Sequence, residues 1–186
     1  IGKTVGLVGF GAVAKNLAEM LRPFGVKLLV YDIVEIPDET KERLNITQVS
    51  LDELFSTADI ISVHTPLNSA THRLIGSELF LKIKPDALFV NTSRGGVIDG
   101  EALINALNNR RFRAVLDVYD EEPPKPDSEL YSAQGLIMMP HMGGPTLDLR
   151  SEISETLIKE AHGFIDLSQN LVNEITAEKA FNMSER

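Results

Sequence analysis

Thr4-Val5-Gly6-Leu7-Val8-Gly9-Phe10-Gly11-Ala12-Val13-Ala14, running on into Lys15–Leu21 (KNLAEML), is the stretch that decides the fold. Thr4–Val8 is a short β-rich run ending in glycines, and Val13–Leu21 reads as a helix. Strand, Gly-x-Gly turn and helix in that order is the context in which a dinucleotide is bound. Gly9 permits the tight turn, Gly11 lets the backbone approach a pyrophosphate, and the small Ala14 lets helix and strand pack closely. The helix start offers its free amide donors to the same anion. Taken alone the pattern is weak, because Gly-rich strand–helix turns also occur without nucleotides, and Ala14 stands where Gly is usual.

Working outward, six more short apolar runs follow: Lys27–Tyr31, Ile46–Val49, Ile60–Val63, Leu88–Val90, Ala114–Leu116 and Leu136–Met138. Helical patterns separate most of them, such as Asp38–Leu44 and Gly100–Leu107, the latter with Asp99 placed to cap. Ser50-Leu51-Asp52-Glu53 reads as a capping box in which hydroxyl and carboxylate each satisfy an amide. Strands that are apolar throughout, alternating with helices, predict a sheet covered on both faces. The expected fold is therefore α/β, a doubly wound, mostly parallel, seven-stranded Rossmann-like sheet. From Thr146 one long helix is expected, with Leu149, Ile153, Leu157, Ala161 and Ile165 forming an apolar stripe at spacing four. Glu121–Asp127 (EEPPKPD) reads as a Pro-rich loop rather than a boundary.

Composition narrows the function. The 186 residues carry 18 basic and 27 acidic side chains, a net charge of −9, and 43% are apolar. That length and balance suit one globular domain with a full core. With no basic stripe to displace counterions, nucleic acid is an unsuitable partner, and no apolar run approaches the ~20 residues of a membrane span. Zero Cys excludes disulfides, Cys-based metal sites and thiol nucleophiles, and fits a reducing cytosol. No metal site is expected. The chain starts at Ile1 rather than Met, and it reads as a piece of a longer protein.

Ionisable residues gather where strands are expected to end. Asp32 closes the second strand, 23 residues after Gly9, where a carboxylate can accept hydrogen bonds from ribose hydroxyls. Its neighbours Ile33 and Val34 are not basic, so a 2′-phosphate would meet uncompensated negative charge and NAD is favoured over NADP. His64-Thr65-Pro66-Leu67 follows the fourth strand, within reach of a cofactor; for His64 itself an ordinary turn role is preferred to a catalytic one. Asn91-Thr92-Ser93-Arg94-Gly95-Gly96 closes the fifth strand, and Arg94 offers a planar fork for a substrate carboxylate. Asp117 ends the sixth, Glu122 follows in the Pro-rich loop, and His141 lies after the seventh in Pro140-His141-Met142-Gly143-Gly144. Each alone is more often structural than catalytic. At successive strand ends they fall along one edge of the fold.

The combination GFGAVA, YD, HTPL, NTSRGGVID, LDVYDEEP and PHMGG, in that order from about Gly2 to about Thr146, resembles the D-isomer-specific 2-hydroxyacid dehydrogenases. The resemblance implies hydride transfer between NAD(H) and a 2-hydroxy or 2-keto acid, with Arg94, Glu122 and His141 as the catalytic set. Arg94 would bind the carboxylate, His141 would be the general acid/base, and Glu122 its hydrogen-bonded partner. Asp117 would hold the nicotinamide carboxamide. Gly9, Gly11, Ala12, Val13, Asp32, His64, Thr65, Pro66, Thr71, Thr92, Ser93, Gly143 and Gly144, with Arg94 and His141, would line the NAD site. Residues 1–146 would then form the NAD-binding domain and 147–186 a C-terminal helical segment, with an N-terminal substrate domain apparently missing from this chain. Alone, the chain would be weakly active or inactive. A homodimer in the cytoplasm is the usual arrangement the resemblance implies. An NAD-sensing corepressor-like scaffold of the same fold keeps the same Arg–Glu–His set and stays open at this point.

Overall fold

Each of the seven apolar runs is a strand in the computed structural model, which describes residues 2–109, 112–167, 171, 175–177, 180 and 183. The strands are β1 (Thr4–Val8), β2 (Lys27–Tyr31), β3 (Ile46–Gln48), β4 (Ile60–Val63), β5 (Leu88–Asn91), β6 (Arg113–Leu116) and β7 (Leu136–Met138). The helices are α1 (Ala12–Leu21), α2 (Asp38–Leu44), α3 (Leu51–Thr57), α4 (Ser77–Phe80), α5 (Gly100–Asn109) and α6 (Leu147–Leu167). Every strand pair is parallel, in the order β3-β2-β1-β4-β5-β6-β7. The direction of winding reverses between β1 and β4. That is the switch point, where strand ends diverge and leave a crevice.

The two faces of the sheet bury separate cores. One gathers Val5, Leu7, Phe10, Ala14, Ala18, Leu28, Val30 and Leu44. The other is larger and holds Leu54, Phe55, Ile61, Phe80, Phe89, Leu103 and Leu116, with the Phe80 and Phe89 rings edge to face at 5.4 Å. Strands buried on both faces explain why their sequences are continuously apolar rather than alternating.

One local expectation needs correction. The Ser50 hydroxyl accepts from Glu53 N–H at 3.2 Å, but the return bond from the Glu53 carboxylate is not formed, so the box is half made. The Leu149–Ile165 stripe lies on α6 as expected, and Leu149, Ile153, Leu157 and Ile165 are 44%, 48%, 52% and 75% exposed. Asp99 does cap α5, accepting from Ala102 N–H at 3.0 Å. The short α4 and the single turns at Arg22–Phe24, Gly95–Val97 and Glu129–Ser132 lack the length to show periodicity in the sequence.

The chain divides into a larger unit, which contains all seven strands and runs to His141, and a smaller one over Met142–Met183 that contains α6.

Candidate functional site

The first strand end sets the crevice. Gly9 has φ +90°, and a Cβ there would lie 3.0 Å from both N and Oγ1 of Thr65, so only glycine allows the turn to press against the end of β4. Thr65 is buried and donates its hydroxyl to Val8 O at 3.0 Å, which locks the two loops together. Gly11 caps α1 without a side chain, and a Cβ there would meet nothing within 4 Å. The first amides of α1 therefore face open space beside a turn with no side chain in the way, and this cradle fits a pyrophosphate. Ala12 and Val13 are exposed at the same helix start.

Asp32 is half-buried at the end of β2, and its carboxylate is already organised. Oδ2 accepts from Phe10 N–H at 2.7 Å and Oδ1 from Val34 N–H at 2.9 Å. A carboxylate has about four lone-pair positions, so these two bonds aim it and leave capacity for a ribose. Gln48, which the sequence reading passed over, bonds to the segment that follows Asp32.

On β4, the Nε2 of His64 lies 3.0 Å from Ser62 Oγ. Burial pushes the His64 ring below the ordinary imidazole pKa, so the ring is a neutral polar group. Thr71 uses its hydroxyl inside its own loop, donating to Pro66 O at 2.6 Å and accepting from Asn68 N–H at 2.8 Å. Ser93 donates to Thr65 O at 2.5 Å, tying the β5 loop to the β4 loop. Asn91, fully buried at the end of β5, holds that loop from within: its side chain donates to Arg94 O and accepts from Ser93 N–H, both at 3.0 Å. Asn91 lay inside the NTSRGG motif, and its place at a strand end was the available signal. Thr92 and Arg94 are exposed, and the Arg94 guanidinium donates to Ser93 O at 2.8 Å. Arg94 makes no bond to Glu122 or His141.

At the far rim the structure brings Glu122 and His141 together, with Oε2 2.6 Å from Nδ1. Glu122 Oε1 also accepts from Tyr119 N–H at 2.9 Å. Burial alone would raise the Glu122 carboxyl, but the bonds to His141 and Tyr119 outweigh it and hold it below the usual carboxylate range. His141 has φ +53°, a left-handed conformation that costs a non-glycine residue about 1–2 kcal/mol. Such strain persists only where the surroundings impose it, and it gathers at functional sites. Tyr119 bridges the two strand ends through its hydroxyl, 3.0 Å from Leu116 O and 2.8 Å from Met139 O. A cleft of about 440 Å³ opens beside the pair, lined also by Tyr119, Pro124, Tyr131 and Met139. Asp117 is 4% exposed at the end of β6, and its N–H donates to Asn91 O at 3.0 Å. Gly143 and Gly144 belong to the smaller unit. No cluster of metal ligands occurs among the described residues.

The arrangement therefore offers an anion cradle, an aimed carboxylate, an exposed guanidinium and a carboxylate–imidazole pair on the carboxyl edge of one sheet. Comparison with known proteins identifies the family. The chain is 37% identical over 175 residues to the glyoxylate reductase of Thermococcus litoralis, covering 92% of this chain and 52% of that protein. The apo D-mandelate dehydrogenase of Rhodotorula graminis superposes with a TM-score of 0.85 at 32% identity, over 94% of this chain and 51% of that one. D-lactate dehydrogenase of Lactobacillus jensenii with NAD+ superposes with a TM-score of 0.77 at 28% identity, over 94% of this chain and 56% of that one. The chain thus spans about half the length of these relatives. These likenesses give no support to the corepressor alternative. Residues 1–143 match the D-isomer specific 2-hydroxyacid dehydrogenase, NAD binding domain, and the chain belongs to that family.

Proposed function

We propose that the whole protein is an NAD-dependent oxidoreductase that interconverts a small 2-hydroxy acid and its 2-keto acid. The observation that carries this reading is the 2.6 Å contact between Glu122 and His141, made with His141 held in a left-handed conformation. When bound, NAD(H) supplies or accepts the hydride. The chain's residues do the rest. Arg94, exposed and carrying a fork of donors, takes the substrate carboxylate and orients the carbonyl. Glu122 occupies Nδ1 of His141, which leaves Nε2 for the substrate oxygen. That oxygen gains negative charge during reduction, and His141 gives it a proton; in oxidation His141 takes the proton back.

Asp117, Thr92 and the β4 loop (His64, Thr65, Pro66 and Thr71) are assigned to the walls of the cofactor site. Hydride transfer also needs water kept out, and Arg94 and His141 are both exposed. The remaining half of the protein would therefore cover this rim, and the present chain would bind cofactor yet turn over poorly. Orientation and closure contribute roughly 7–11 kcal/mol to such a reaction. A cytoplasmic homodimer belongs to the same reading, with the exposed stripe of α6 as a surface for a second copy.

In the whole enzyme His141→Ala is expected to lower kcat by orders of magnitude while NADH binding stays nearly unchanged. Full turnover by that variant with glyoxylate, pyruvate and hydroxypyruvate would end the proposal.

A further inference from the structure

Gln48 ends β3, the edge strand, opposite Val30 of β2. Its side-chain amide spans the five-residue segment Asp32–Ile36. Oε1 accepts from Ile36 N–H at 2.9 Å, and Nε2 donates to Val34 O at 3.0 Å and to Asp32 O at 3.3 Å. The two ends of the amide meet opposite kinds of partner, so turning it over would break every bond and only one orientation is allowed. The segment belongs to no strand or helix. Its shape is set by Gln48, by the Asp32 carboxylate, and by Ile36, which is buried as an anchor.

The same segment displays two apolar side chains to solvent, Ile33 at 78% and Val34 at 64% exposure. They flank the carboxylate that is bonded to Phe10 N–H in the Gly-rich turn. An apolar pair, an aimed carboxylate and the pyrophosphate cradle in sequence match the base, ribose and phosphates of an adenosine diphosphate group.

We propose that Gln48 is a positioning residue for the adenosine half of the cofactor, and that it sets both affinity there and discrimination against a 2′-phosphate. This rests on adenosine lying at Asp32. Gln48 holds the Ile33–Val34 platform in its binding shape before the ligand arrives, so less ordering is left to be done on binding. By fixing Val34, whose N–H the Asp32 carboxylate accepts, it also keeps that carboxylate from swinging away from a 2′-phosphate, which preserves the repulsion that excludes one.

The test is calorimetric titration of this chain with ADP-ribose and with its 2′-phosphorylated form. Gln48→Met keeps the length and removes all three bonds. It is expected to weaken ADP-ribose about tenfold, ~1.4 kcal/mol, and to shrink the preference over the 2′-phosphorylated ligand at least threefold. Gln48→Glu keeps an acceptor for Ile36 but faces two carbonyl oxygens with a carboxylate. It is expected to bind as poorly as Gln48→Met at pH 7.5 and to recover, relative to the unmutated chain, near pH 4, below the ordinary glutamic acid pKa of ~4.3, where a protonated carboxyl both donates and accepts. ADP-ribose affinity within twofold in Gln48→Met, equal weakening of both ligands, or no recovery of Gln48→Glu in acid would each overturn the assignment. Asp32→Ala separates the two ideas. If it leaves ADP-ribose binding intact, adenosine does not lie at this loop and the underlying placement fails; if it weakens binding while Gln48→Met does not, only the role of Gln48 falls.

Discussion

Gly95→Ala tests whether the β5 and β6 loops are set by direct backbone contact. A Cβ at Gly95 would lie 2.0 Å from the carbonyl carbon of Tyr119, 2.2 Å from its oxygen and 2.4 Å from Asp120 N. Ordinary contact begins at 3.4 Å, so the two segments must part by about 3.4 − 2.0 = 1.4 Å. All three obstructing atoms are backbone, and no rotamer change relieves them. Overpacking typically costs about 1–3 kcal/mol, and the upper end applies here. At roughly 2–4 °C of Tm per kcal/mol for a chain of this size, ~3 kcal/mol lowers Tm by roughly 6–12 °C. The same displacement moves Arg94, next to Gly95, away from Tyr119, whose amide holds Glu122. Differential scanning calorimetry reads the first effect, and kcat of the whole enzyme carrying the change reads the second. Gly11→Ala is the internal control, since its Cβ meets nothing within 4 Å. It should leave Tm nearly unchanged and weaken NADH, because the new methyl fills the cradle. A Tm for Gly95→Ala within 2 °C of the unmutated chain would refute the contact argument.

Four further outcomes are expected. Asp32→Ala should narrow the preference for NADH over NADPH, read by fluorescence titration; an undiminished preference removes Asp32 as its source. Glu122→Gln in the whole enzyme should lower kcat by about an order of magnitude or more while NADH binding stays nearly unchanged, because the His141 ring loses the carboxylate that orients it; an unchanged kcat takes Glu122 out of the mechanism. The Lys84 ammonium and the Thr4 amide hold the Asp59 carboxyl below its usual range, so its stabilising effect is complete above ~4 and is lost as pH falls through the lower folded value. Asp59→Asn should therefore flatten the acid side of a urea-unfolding series. Burial lowers the His64 pKa in the fold, so stability is complete above ~6.5 and declines as pH falls toward the folded value; His64→Gln should abolish that decline between pH 7.5 and 5.5.

Strand placement was legible because every central strand is buried on both faces. Runs such as Leu28–Val30 and Ile60–Val63 are apolar for that single reason, and burial is what the sequence records most directly. The candidate residues stand out for a different reason: Asp32, Arg94, Glu122 and His141 are polar or charged at points where strands must end. What escaped was the wiring between them. Gln48, Asn91 and Tyr119 act through hydrogen bonds to backbone atoms. A bond to a backbone group leaves no matching side chain for a sequence reading to find. The α6 stripe is present as read, and it marks another limit: periodicity reports only that a face is apolar and says nothing of what lies against it.

That distinction separates the two ends of the crevice. On the loops after β1, β2, β4 and β5, polar groups already have internal partners: both oxygens of Asp32, both ends of Gln48, and the hydroxyls of Thr65 and Ser93. A surface so organised would bind a ligand with little rearrangement, because its orientation is fixed before contact. At the far end the Arg94 guanidinium rests on a neighbouring carbonyl, and His141 is half exposed despite its strained backbone. Under the proposed function, a guanidinium bonded to its own loop would exchange that bond for a carboxylate, and an imidazole acting as acid/base in water would gain little from electrostatic focusing. Binding and chemistry would then make different demands: contacts within this chain suit the first, and the second would need water kept from the Arg94–His141 rim.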